Sequence, residues 1–160
     1  MELLLTIFDQ QTIEIITRLL VAMLLGMILG TERVFAHKVA GMRTYAFVSL
    51  GAALFVVVSW VMTEQYVGLT NFDPLRMASQ VVVGIGFLGA GMIIFRDARL
   101  EGLTTAASLW VAAGIGVAAG FGLFTLAAVA TIFMLFVFIG MWAIEKKIKQ
   151  TVGIWDNGEL

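Results

Sequence analysis

From Leu103 to Ile144 the chain reads LTTAASLWVAAGIGVAAGFGLFTLAAVATIFMLFVFIGMWAI, without one charged side chain. A helix that crosses about 30 Å of hydrocarbon needs about 20 residues. This stretch holds two such lengths, joined by Gly120-Phe121-Gly122. A connection that short requires an antiparallel pair of membrane helices. The first is rich in small residues (Ala106, Ala107, Ala112, Ala113, Gly114, Gly116, Ala118, Ala119), which let backbones approach closely, so it is expected to be buried. The second carries Phe133, Leu135, Phe136 and Phe138 and is expected to face lipid.

Three more apolar runs precede this pair. Helices are predicted at about 13–31, 44–63, 74–95, 103–119 and 122–144, which makes the fold an all-α membrane bundle of five transmembrane helices. Composition agrees: of 160 residues, 61% are hydrophobic and 13% charged, against about 45–50% and about 25% in soluble domains. Mean hydropathy is +1.00. Residues 1–144 are therefore read as one transmembrane domain and 145–160 as a short cytoplasmic tail. Met1-Glu2-Leu3 opens acidic, without the basic region of a cleavable signal, so the first run is expected to be retained as a span.

Orientation follows from Lys and Arg. Arg33, Lys38, Arg43, Arg96, Arg99, Lys146, Lys147 and Lys149 fall on one side of an alternating topology, and only Arg18 and Arg76 lie toward the other. The positive-inside rule then puts the N-terminus outside and the C-terminus in the cytoplasm. Tyr45 and Trp142 at inner ends, and Trp60 and Tyr66 at an outer end, suit interfacial aromatic belts. A net charge of -1 offers no basic excess for nucleic acid, and the absence of Cys excludes disulfides and thiolate metal sites.

Asp73-Pro74 is read as an N-cap followed by proline at the first helical position. Along the helix that follows, Gly84 and Gly91 share a face with Gln80, and Gly86 and Gly89 share the opposite face with Ser79. This helix is expected to pack on both sides and sit centrally. Gly26 and Gly30 give the first helix a small-xxx-small face. Gly84-Ile85-Gly86-Phe87-Leu88-Gly89 matches the dinucleotide fingerprint, but no βαβ unit surrounds it and no acid follows at the required distance. It is read as helix packing.

Charges near lipid need a reason. Arg18 lies about 8 Å into its helix. It either snorkels to the outer headgroups or pairs with Glu14, one turn earlier, or with Asp73 across the bundle. Glu32-Arg33, Arg43-Thr44 and Thr104-Thr105 meet at the inner face, either as caps and anchors or as a polar cluster for a partner or an ion, which Ser108 would extend inward. Surface Mg²⁺ coordination is open to Glu14, Glu64 and Asp73 outside, or to Glu32, Asp97 and Glu101 inside. No metal site is assigned and no cofactor is expected. His37, the one histidine, is read as a solvated loop residue, and no nucleophile–base pair supports an enzyme.

Three segments together resemble the MgtC/SapB family of bacterial inner-membrane proteins. They are Gly30-Thr31-Glu32-Arg33 with Ala40-Gly41-Met42-Arg43-Thr44 and Gly51-Ala52-Ala53-Leu54-Phe55; Asp73-Pro74-Leu75-Arg76 with Gln80-Val81-Val82 and the glycine-rich run to Gly91; and Gly102-Leu103-Thr104-Thr105-Ala106-Ala107-Ser108-Leu109-Trp110. The resemblance implies a plasma-membrane protein linked to Mg²⁺ limitation and, in pathogens, to survival in macrophages. It implies a regulator of another membrane complex, such as the proton-driven ATP synthase, with transport of Mg²⁺ or another small ion or solute as the alternative. The positions it carries over are Arg18, Glu32, Arg33, Arg43, Thr44, Asp73, Arg76, Gln80, Thr104 and Thr105. Many members append an ACT-like soluble domain. Only Glu145–Leu160 follows the last expected span here, too short to fold alone, so the expectation is either a short membrane-only form or a chain cut at that point. The partners expected are the lipid bilayer, a second copy in a homodimer joined through glycine-rich faces, and another membrane complex. Transport would need a pathway at a subunit interface, for which Arg18, Gln80 and Thr105 are the candidate lining.

Overall fold

Asp73 accepts a hydrogen bond from the Leu75 amide at 2.9 Å, with Pro74 in the first turn, so this helix begins where its cap dictates. In the computed structural model, residues 9–66, 73–96 and 99–152 are described. Their order is α1 (Gln10–Phe35), α2 (Met42–Gln65), α3 (Pro74–Met92), a hairpin of β1 (Ile94–Arg96) and β2 (Arg99–Glu101), α4 (Leu103–Gly120) and α5 (Phe124–Phe136). A π-helical turn, Val137–Met141, then leads into α6 (Trp142–Val152). Five stretches are long and apolar enough to cross a membrane, the last running from Phe124 to Ile148.

Two helices end in the same backbone device. At the end of α1, Lys38 N–H donates to the Arg33 carbonyl and His37 N–H to that of Val34. At the end of α4, Leu123 donates to Ala118 and Gly122 to Ala119. Both are Schellman motifs, which put one residue in the left-handed region. Gly122 takes that place at φ 77°, as its lack of a Cβ permits. His37 takes it at φ 52°, where a side chain is strained. The lone histidine is exposed, and its distinctive feature is this backbone conformation.

Helices α1, α2, α4 and α5 enclose the main core, built on Ala22, Leu29, Tyr45, Leu109, Ala112 and Ala127. Close approach is the rule. A Cβ on Gly26 would sit 2.5 Å from the Tyr45 carbonyl oxygen, and one on Gly30 would overlap the Met42 backbone. A Cβ on Gly116 would overlap the Ser49 carbonyl, and one on Gly120 would come within 2.8 Å of Val56. Ser49 donates to the Ala22 carbonyl at 2.7 Å, binding α2 to α1 inside the bundle. As expected, α4 is deeply buried, with 61% of its span covered.

The expectation that the third helix sits centrally is corrected: α3 lies at the edge, with 11% of its span buried. It touches α4 and α2 along one side only, where Ile85 joins Ala52 and Ala113 in a small second core. A Cβ on Gly89 would sit 3.7 Å from the Ala106 carbonyl oxygen, in ordinary contact, but Gly84, Gly86 and Gly91 face open space. Small residues permit close approach without requiring it. The third helix also ends at Met92 rather than about 95, and the connection to α4 is a hairpin pairing Ile94 with Glu101 and Arg96 with Arg99. Gly102 closes it at φ 87°, where a Cβ would overlap the Met92 carbonyl. In α5, Phe133 and Phe136 face outward, but Phe138 is buried, contrary to the lipid-facing expectation, because an arginine occupies the adjoining interior.

Candidate functional site

The buried face of α1 runs Arg18, Ala22, Gly26, Leu29, Arg33. Steps of three and four keep these residues on one stripe, so it carries a buried arginine toward each end. Fifteen residues separate the two by about 22 Å, less than the hydrocarbon thickness of about 30 Å. Each guanidinium therefore needs a specific reason to be there.

Arg18 has three partners. Its Nη2 lies 2.5 Å from Glu14 Oε1, one turn earlier; its Nη1 donates to the Gly120 carbonyl at 2.9 Å; and its Cζ stands 4.0 Å from the centroid of the Trp60 ring. Gly120 is in the last turn of α4, whose final carbonyls lack helical donors and carry the negative end of the helix dipole. Arg18 thus binds α1 to the α4–α5 turn and to α2. The snorkelling reading gives way to the Glu14 pair. Asp73 is exposed and caps its own helix. Trp60, half-buried near the end of α2, stacks on this arginine.

Arg33 is the counterpart at the other end. Its Nε lies 2.5 Å from Glu32 Oε2, and its Cζ is 3.5 Å from the Phe138 ring centroid. Nearby, Ser108 donates to the Thr105 carbonyl at 2.8 Å, so the Tyr45 hydroxyl donates to Ser108 Oγ. Tyr45 is fully buried and is no belt residue. This ladder binds α2 to α4 and carries polarity one turn inward from Thr105.

The remaining candidate positions lie apart. Arg43 and Thr104 are exposed and Thr44 is half-buried. Arg76 is exposed, its carbonyl accepting from Ser79. Asp97 falls outside the described residues. Gln80 lines an apolar groove between α2 and α3, of about 460 Å³, walled by Phe47, Gly51, Phe55 and Gly84 and floored by Ala113. Nothing lies within 4 Å of where a Cβ on Gly51 or Gly84 would be, so the groove opens sideways toward lipid. Arg18, Gln80 and Thr105 are not gathered around one path within this chain: the first and last are buried in different clusters, and Gln80 is on the outer wall.

Mg²⁺ binding requires carboxylate oxygens with room for waters. Glu14 and Glu32 are each held by an arginine, and Glu64 accepts from Gln11 at 3.2 Å. Among the described residues no three acids or histidines come together. The described acids therefore form no enclosed site with three or more protein ligands for Mg²⁺. Sequence reasoning missed Tyr45, Phe138 and Gly120 as partners in these clusters. The one local signal was Ser108, a hydroxyl within the small-residue face of α4.

A five-span helical bundle with paired arginines inside it defines a multi-pass membrane protein. The MgtC family model matches residues 19–147, and the chain belongs to that family. It is 47% identical over 116 residues to Protein MgtC of Brucella abortus, covering 72% of this chain and 46% of that protein. It is 44% identical over 135 residues to Protein MgtC of Salmonella typhimurium, covering 84% and 55%. To the putative magnesium transporter YhiD of Escherichia coli it is 42% identical over 131 residues, covering 79% and 60%. The chain thus spans about half the length of these relatives. No solved structure matches it. Family and spans together make it a multi-pass protein of the inner membrane.

Proposed function

We propose that this chain is the membrane part of a non-enzymatic regulator tied to Mg²⁺ limitation, acting by lateral helix contact on another membrane complex, for which the proton-driven ATP synthase is the candidate. The link to magnesium rests on the name of one relative, the putative magnesium transporter YhiD. The observation that carries the mode of action is the groove between α2 and α3. Its walls have glycines where side chains would fill it, and Gln80 is its one amide side chain. In a bilayer, small residues admit a neighbouring backbone and an amide bonds across to it. The Arg18 clasp holds one wall, α2, to α1 and to the end of α4, while Arg33 ties α1 to the π-helical turn through Phe138.

The test separates regulation from transport. Deletion in cells should change ATP level or membrane potential, and Gly84→Leu, which fills the groove, should reproduce the deletion at normal protein level. Purified protein in liposomes should pass no Mg²⁺. Mg²⁺ flux abolished by Arg18→Ala or Gln80→Ala would overturn the proposal in favour of a transporter. Full regulatory activity in Gly84→Leu would remove the groove from it.

A further inference from the structure

The fifth span outruns the bilayer. Phe124–Ile148 is 25 residues, about 37 Å of helix against about 30 Å of hydrocarbon. Its last turns therefore reach headgroup level, and there its character changes. Every residue from Met141 to Ile148 is exposed, and α6 packs substantially only on the π-helical turn before it. Ile144 and Ile148, one turn apart, share an apolar face. Lys146 lies on the opposite side, 5.3 Å from the Trp142 ring centroid, and Lys147 adds a second charge.

Such a helix has two media available at the membrane boundary. If it continued along the span axis, Ile144 and Ile148 would leave the hydrocarbon for the polar headgroup layer. If it turned into the interface, their face would meet acyl chains and the lysines would meet phosphates, the arrangement of interfacial amphipathic helices. The Val137–Met141 turn lies where the change of direction is needed, and π-turns are among the few places where helices kink. Phe138, stacked on Arg33, fixes that turn to the bundle, so only the segment beyond it is free to lie down. Phe35 and Phe95 are exposed at the same basic end, extending the apolar rim around it.

We propose that Trp142–Val152 is an interfacial helix that docks on anionic phospholipid headgroups at the basic face of the membrane. This is independent of the regulatory role. The partner follows from charge and position: Lys146 opposite the apolar face and Lys147 at its flank, against the single Glu145 on the other flank, leave a positive excess at headgroup depth. Each lysine near an anionic surface contributes about a fivefold preference. Removing two should lower the ratio of docked to undocked helix about thirtyfold.

The chain contains no Cys, so single cysteines from Ala143 to Thr151 can carry spin labels on the intact protein in nanodiscs. With phosphatidylglycerol, oxygen accessibility should rise and fall every three to four residues, peaking at Ile144 and Ile148. In pure phosphatidylcholine, or in the K146Q/K147Q protein, labels on both faces should become mobile and water-accessible. A steady fall in oxygen accessibility along the segment would mean an axial helix and overturn the proposal. So would the same periodic pattern in both lipids, which would remove the headgroup charge, or labels shielded from both oxygen and water, which would indicate a protein partner.

Discussion

Replacing Arg18 by Lys keeps the charge and discards the plane. A lysine cannot stack on Trp60 while reaching both Glu14 and the Gly120 carbonyl, since its ammonium is a point charge on a flexible stem. Arg18→Lys should cost about 1–3 kcal/mol, the range for leaving buried polar groups imperfectly paired. Glu14→Gln should cost less, because that carboxylate is half-exposed and water screens what the pair loses. Thermal unfolding in detergent, followed through Trp fluorescence, ranks the two. An equal loss would mean that Glu14, and not the α4 carbonyl and Trp60, holds the guanidinium in place. His37 offers the opposite sign. It holds a left-handed conformation that glycine adopts without strain, so His37→Gly should stabilise by about 1 kcal/mol in the same assay.

At the scale of elements, two glycines two residues apart on α4 have opposite roles. Gly116 lies against the Ser49 backbone, while nothing lies within 4 Å of a Cβ on Gly114. A backbone cannot move aside as a side-chain tip can. Gly116→Ala should push α2 from α4 and cost about 1–3 kcal/mol. Gly114→Ala should be neutral or stabilise by up to about 1 kcal/mol through helix propensity. Matched melting curves decide it, and equal effects would contradict the α2–α4 packing. The contrast also shows where local pattern stops informing. Composition marks α4 as a helix to be buried, because its residues are nearly all small. It marks α3 in the same way, yet α3 sits at the edge. What differs is the neighbours: α4 has α1, α2, α3 and α5 around it, and α3 has two.

For the molecule as a whole, the features legible in the sequence were those set by length and periodicity: five spans, the Asp73-Pro74 start and the Gly120-Phe121-Gly122 turn. Partners brought together from distant elements were not. Glu14 stands one turn from Arg18 and can be read as its mate, but nothing local announces Gly120, a hundred residues on, or Phe138 beneath Arg33. Tyr45 looks interfacial by position and is buried because Ser108 accepts its hydroxyl. Placing the basic end in the cytosol remains an inference from charge, and it makes a direct prediction. His37 lies between α1 and α2, and Glu64 near the far end of α2, a 24-residue helix of about 36 Å. Around the first end are Arg33, Lys38, Arg43, Arg96, Arg99, Lys146 and Lys147; toward the other are only Arg18, already paired, and Arg76. Insertion leaves the richer side in the cytoplasm. A membrane-impermeant maleimide should therefore label Glu64→Cys in intact cells, and His37→Cys only after the membrane is opened. Labelling His37→Cys alone from outside would invert the molecule. Labelling both would show that seven basic residues at one end against two at the other do not suffice to choose an orientation.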